Sequence, residues 1–323
     1  MRHRHPISLV GATLAACLLA LGCADNTMTA PRTLSLAQPS ADRQLPTFEI
    51  STIDVDGALL TQPQGINASG DVVGWYIDAN KRSHGFIRHG GVITTVDYLK
   101  PDNTVADNTT LRGIGPDGQT VGTYRDNSEE AVASHGFRRT ADGQLIPVQY
   151  IGSDNQPFNV VLQRILSDGT ILGCRHIHDT MGSMKGIVIV GDQTTEIDAY
   201  SSMNNGATPD GRLMTGFYTN MMMNRTEAYI IENGAFSSFV VPGSASTSAW
   251  DVNPRGDIVG VFMDAHGAHG FVRTDGGYTT IDVNGASGTR AFGINARGDV
   301  VGTYAVGAGT AAVTHGFLAT RVR

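Results

Sequence analysis

The sequence predicts an all-β fold, a six-bladed β-propeller of four-stranded blades whose last blade is closed by the N-terminal strand. Three observations predict it. One turn-centred segment recurs six times, each recurrence resolves into four short apolar runs joined by Gly-containing turns, and the stretch before the first copy matches a run that the last copy lacks. Composition agrees, because 40 glycines in 323 residues and a charged fraction of 16% describe a turn-rich chain with too little charge for a disordered polymer or a long coiled coil.

The clearest copies read GINASGDVVGWY at 65 to 76, GIGPDGQTVGTY at 113 to 124, DVNPRGDIVGVF at 251 to 262 and GINARGDVVGTY at 293 to 304. Weaker ones, RILSDGTILGCR at 164 to 175 and GATPDGRLMTGFY at 206 to 218, lie between them. The second glycine of each copy serves as a ruler: Gly74, Gly122, Gly173, Gly216, Gly260 and Gly302 are spaced 48, 51, 43, 44 and 42 residues apart. A second marker follows, with His84, His135, His269 and His315 each opening a His-Gly-Phe triplet; MKGIVI and EAYIIE replace it in copies three and four.

Each unit begins with a strand that runs into a turn such as Asn67-Ala68-Ser69-Gly70 or Asn295-Ala296-Arg297-Gly298. Asn first and Gly last suit a type I turn closed by a residue of positive φ. Val72 to Tyr76 then form a second strand, His84 to Arg88 a third and Val92 to Val96 a fourth, and a unit of about 45 residues with four such strands has the size of a propeller blade. Copy six stops after its third strand at His315 to Ala319. Phe48 to Ala58 resembles the fourth strand of copy five, Gly277 to Ala286, so the first segment completes the last blade and leaves the ring without open ends. Two smaller β-repeat domains are the alternative, because copies three and four are degenerate.

Upstream of the repeats, MRHRHPISLVGATLAACLLALGC joins a basic start to an apolar run ending in Gly22 and Cys23. This reads as a signal peptide over residues 1–22, and the run is shorter than the roughly 20 residues that cross a bilayer as a helix. The ending resembles a bacterial lipoprotein signal, which implies that Cys23 carries the lipid, against the plain alternative of secretion after an earlier cut; Ala20 and Leu21 stand in the reverse of that family's preferred order. Residues 23–46 form the anchor and a flexible tether rich in Ala, Thr, Ser and Pro, and residues 47–323 the propeller. Cys174 alone remains in the repeats, so no intrachain disulfide is expected.

With its GIN-turn-VVG segment followed by His-Gly-Phe, the chain resembles the HAF-type extracellular repeat family of exported bacterial proteins. The likeness covers nearly all of the mature chain and is strongest in copies one, two, five and six. It implies export and repetitive β architecture, and assigns no activity to particular residues.

The chemistry is sparse. The four motif histidines are too far apart in a propeller to share one ion: with strands ~4.8 Å apart and the first strand about 8 Å from the axis, third-strand positions lie about 17 Å out and about 17 Å from their neighbours; a repeated hydrogen bond to a carboxylate or carbonyl in the same blade is their expected role. His176, His178 and Asp179 form a tighter cluster and the one metal candidate, against the plain reading of a chance His-x-His. Cys174 reads as a packed thiol, and Met221 to Met223 as an adaptable apolar contact. The positions expected around the axis are Gln64, Arg112, Gln163, Asn205, Trp250 and Phe292, which hold no histidine or carboxylate; the nearest, Asp251, stands alone. Acid–base catalysis at the axis therefore lacks its residues.

Connections between second and third strands, and between successive units, vary in length, and both emerge on one face. Recognition is expected there, with Arg112, Trp250, Arg290 and the loop from 98 to 110 as candidates, against the reading that these loops have drifted. A formal charge of −7 argues against nucleic acid. The expected function is a monomeric, non-enzymatic scaffold at the outer membrane or cell surface that binds an envelope or extracellular protein or glycan. No cofactor is expected, and the membrane is met only through the N-terminal lipid. The alternative is a secreted carbohydrate-active or lactone-type hydrolase or lyase with an irregular site near copies three and four.

Overall fold

The computed structural model describes residues 45–127, 134–151, 158–176 and 184–322. Apart from one 3-10 turn at Gly309–Ala311, every regular element among them is a strand. The first, β1 (Phe48–Ile53), stands apart from the hairpins that follow. Copy one supplies β2 (Leu60–Ile66), β3 (Val72–Ile77), β4 (Ser83–His89) and β5 (Val92–Val96), and copy two β6 (Asn108–Ile114), β7 (Thr120–Arg125), β8 (His135–Arg139) and β9 (Leu145–Val148). Copy three gives β10 (Asn159–Ile165), β11 (Ile171–His176), β12 (Met184–Val190) and β13 (Gln193–Glu196). Copy four gives β14 (Met203–Ala207), β15 (Leu213–Asn220), β16 (Arg225–Glu232) and β17 (Ala235–Phe239). Copy five gives β18 (Ser246–Val252), β19 (Ile258–Asp264), β20 (Gly267–Thr274) and β21 (Gly277–Ile281), and copy six β22 (Gly288–Ile294), β23 (Val300–Val306) and β24 (Val313–Arg321).

Within each copy the strands pair antiparallel in chain order. The first strands touch in a closed cycle: β2 meets β6, β6 meets β10, and so on to β22, which meets β2. The chain is therefore an all-β propeller. β1 pairs antiparallel with β24 from Phe48↔Arg321 to Ile53↔Gly316, so the two ends of the chain share a sheet. The sheets depart from the expected six separate four-stranded ones. Copies two to five form four such sheets, whereas copies one and six belong to a single eight-stranded sheet. Its two halves are joined by one parallel bridge, Leu60↔Thr314, where the start of β2 comes within ladder distance of β24.

Local chemistry explains the repeat. In the first-to-second turn, Asn67 Oδ1 accepts the Asp71 N–H at 2.9 Å while its Nδ2 donates to the Asp71 carboxylate; Asn253 with Asp257 and Asn295 with Asp299 do the same. A buried hydroxyl near the start of each of four first strands accepts the N–H of the incoming connection: Thr61 from Val55, Thr109 from Tyr98, Thr247 from Val241 and Thr289 from Val283, at 3.0 to 3.1 Å. The motif glycine answers to packing. A Cβ on Gly74 would overlap the Gln62 carbonyl and come within 2.8 Å of the Phe86 ring. That ring and its counterparts Phe137, Phe271 and Phe317 are fully buried between sheets, each burial worth about 1.5–3 kcal/mol.

Candidate functional site

All six first strands carry a register shift at the same place, and the skipped residues are Gln64, Arg112, Gln163, Asn205, Trp250 and Phe292. A bulge turns one extra side chain out of the ladder. Here the six converge on the axis and plug it at mid-height around a cavity of about 10 Å³. Gln64 and Asn205 are 5% and 3% exposed, and Gln64 Nε2, Arg112 Nε and Asn205 Oδ1 have no protein partner. Burial lowers the Arg112 guanidinium to about 10, still charged at neutral pH. Arg112 and Trp250 thus meet within the plug, while Arg290 lies two residues before Phe292 on β22 and is exposed. The loop from 98 to 110 is a folded turn, with a Leu99↔Val105 bridge and Lys100 Nζ 2.6 Å from Asp126.

Asp251 is the one carboxylate among the residues lining the plug, and its partner is a cation. Arg164 Nη1 lies 3.0 Å from its Oδ2, and the carboxylate also accepts the N–H groups of Ile294 at 3.0 Å and Val252 at 2.9 Å. Burial pushes the Asp251 carboxyl up, opposed by these three partners. In the aligned copies, the equivalent positions are Gly65, Gly113, Gly206 and Gly293, where each first strand presses on the next: a Cβ on Gly206 would come within 2.6 Å of the Asp251 Cα. The two departures from glycine are of opposite charge and satisfy one another between copies three and five. That complementarity was present in the aligned repeats, but only the ring brings residues so distant in sequence together.

Three of the motif histidines are held by carboxylates. Nδ1 of His84 lies 2.9 Å from Asp97, that of His269 2.9 Å from Asp282 and that of His315 2.7 Å from Asp54. Each of the four, His135 included, stacks on an aromatic ring of the second strand at centroid distances of 4.9 to 5.2 Å. Burial lowers His269, but Asp282 and Asp264 outweigh it and its pKa is raised. Of the metal candidates, His178 and Asp179 lie outside the described residues. His176 Nε2 is 3.8 Å from Cys174 Sγ, and burial together with Arg125 and Arg112 lowers its pKa. Burial drives the Cys174 thiol up to about 12, far from a nucleophilic thiolate.

On the loop-bearing end, over copy four, a cleft of about 700 Å³ is bounded by the connections into β14 and β18 and by the β15–β16 loop. Met221, Met222 and Met223 form its lip, 62%, 96% and 58% exposed, and Asn220 Oδ1 accepts the N–H of Met222 and of Met223 at 3.1 Å. Tyr200 supplies aromatic surface and Arg225 and Asp198 charge, with Tyr218 and Glu227 buried behind them. Glu227 occupies the histidine position of the motif, opposite Tyr218 as His84 is opposite Tyr76. It accepts from Arg225 Nε at 2.9 Å and from the Tyr218 and Ser238 hydroxyls at 3.1 Å. Burial pushes its carboxyl up, and bonds from Asn220, Arg225, Tyr218 and Ser238 prevail and hold it below the ordinary value. The replacement of His-Gly-Phe by Glu227-Ala228-Tyr229 was the sequence signal for this irregularity.

No family model matches the chain, and no curated protein matches it. Solved structures similar to it include a gluconolactonase from Xanthomonas campestris, 15% identical, covering 88% of this chain and 97% of that one at a TM-score of 0.45. The β-propeller domain of the Trilobed protease from Pyrococcus furiosus is 11% identical, with 81% and 94% covered and a TM-score of 0.46. A lectin from Aleuria aurantia is 12% identical, with 82% and 96% covered and a TM-score of 0.46.

Proposed function

We propose that the chain is an exported propeller, anchored through Cys23 and related to the HAF-type extracellular repeats, that acts as a non-enzymatic binding scaffold for an envelope protein or glycan. Counting the eight-stranded sheet as two blades makes the ring six-bladed, a count supported by the single bridge between its halves and by the cycle of six first strands. The observation that carries the binding reading is the cleft over copy four, where three exposed methionines stand on a loop held by Asn220, beside the exposed Tyr200. Thioether and aromatic surfaces adapt to a partner at little cost, and loops on a rigid scaffold are the usual place for recognition.

A hydrolytic reading would look to Glu227 in the same cleft. Its oxygens are taken up by three side chains and it is held ionised, which favours a structural carboxylate over a proton donor. Screening the purified chain against immobilised glycans and envelope proteins tests the proposal: a ligand is expected whose affinity falls at least tenfold in Tyr200→Ala/Met222→Asp. Turnover of δ-gluconolactone or an aryl glycoside that Glu227→Gln abolishes would overturn it.

A further inference from the structure

The opposite end of the axis, formed by the short turns, opens into a pit of about 370 Å³. Its wall takes one position from every first strand: Ile66, Ile114, Ile165, Ala207, Val252 and Ile294. Apart from the exposed Ser167, the polar side chains that reach it are satisfied within the protein. Asn67 Nδ2 donates to Asp71 and Asn295 Nδ2 to Asp299, each at 3.0 Å, and Arg164 is neutralised by Asp251. A ligand entering here therefore meets no open charge in the lining and gains nothing for giving up the hydration of a polar group.

We propose that this pit binds the hydrocarbon chain of a single-chain amphiphile, with the head group left in water at the rim. The course of the chain supports that occupant. β1 runs from this end toward the loop-bearing end, and Leu45 packs beside Gly277 in the short β20–β21 turn, so the described chain begins on the pit's side. A lipid at Cys23 would turn the same side toward a membrane, where such chains are abundant; this supply rests on the anchoring reading, whereas the binding chemistry does not.

Calorimetric titration of the full-length protein with 1-hexanol, 1-octanol, 1-decanol and 1-dodecanol tests the proposal without a membrane. One-to-one binding is expected, with a negative heat-capacity change and affinity rising about fourfold per added methylene until the chain outgrows the pit. Ala68→Trp/Ala296→Trp, two exposed turn positions at the rim, should weaken dodecanol at least tenfold, and Ala245→Trp on the loop-bearing end should leave it unchanged. No saturable binding, no dependence on chain length, or equal loss in the Ala245→Trp control would overturn it.

Discussion

His269 illustrates how a motif residue serves the fold. Its ring stacks on Phe262 at 5.0 Å, Nδ1 faces Asp282 and Nε2 lies 3.2 Å from Asp264, so protonation is favoured in the folded chain. A histidine raised on folding contributes stability that is fully present below its unfolded value of about 6.5 and is lost as pH rises through the folded value. Urea denaturation of the wild type and His269→Gln at pH 5.5 and 8.5 should show the wild-type advantage shrinking at the higher pH. An advantage that grows with pH would contradict this reading. The histidine pattern was legible in sequence, and so was its partner type, because Asp97 and Asp282 each follow their histidine by 13 residues. The partner of His315 was recoverable only by matching Thr52-Ile53-Asp54 to Thr280-Ile281-Asp282 across the termini.

At the scale of elements, the bulged first strands decide what reaches the axis. Four copies carry glycine beside the bulge because neighbouring backbones leave no room, and Arg164 and Asp251 are accommodated as a pair. Removing one member leaves a buried charge without its partner, a loss of about 3–5 kcal/mol, whereas removing both restores the pattern of the sister copies. Thermal unfolding of Arg164→Gly, Asp251→Gly and the double variant should therefore show strong non-additivity, with the double variant more stable than either single one. Additive losses would show that the pair is not a unit. Strand positions and turns were readable along the chain, since Asn-x-x-Gly and the alternation of apolar residues act within a few residues. The ion pair was not, since only the assembled ring brings Arg164 and Asp251 together, whereas the cleft over copy four draws on residues 198 to 240 and was marked in sequence by the replaced histidine motif and the three methionines.

In the whole molecule, closure is secured at several levels. β1 completes the sheet of β22, β23 and β24; β22 touches β2; the Arg297 guanidinium donates to the carbonyl of Ala68 across the junction, as Arg255 does to Ala296 one step earlier. The described chain begins at the pit's end, while the copy-four cleft opens at the other. All of this depends on the chain termini meeting in one sheet, and a cysteine pair at the register partners Ser51↔Leu318 reads that directly. In a Cys17→Ser/Cys23→Ser background, Ser51→Cys/Leu318→Cys should oxidise within one molecule and raise the melting temperature. More than the single thiol of Cys174 left free after oxidation, or disulfide-linked dimers in place of cross-linked monomers, would contradict it.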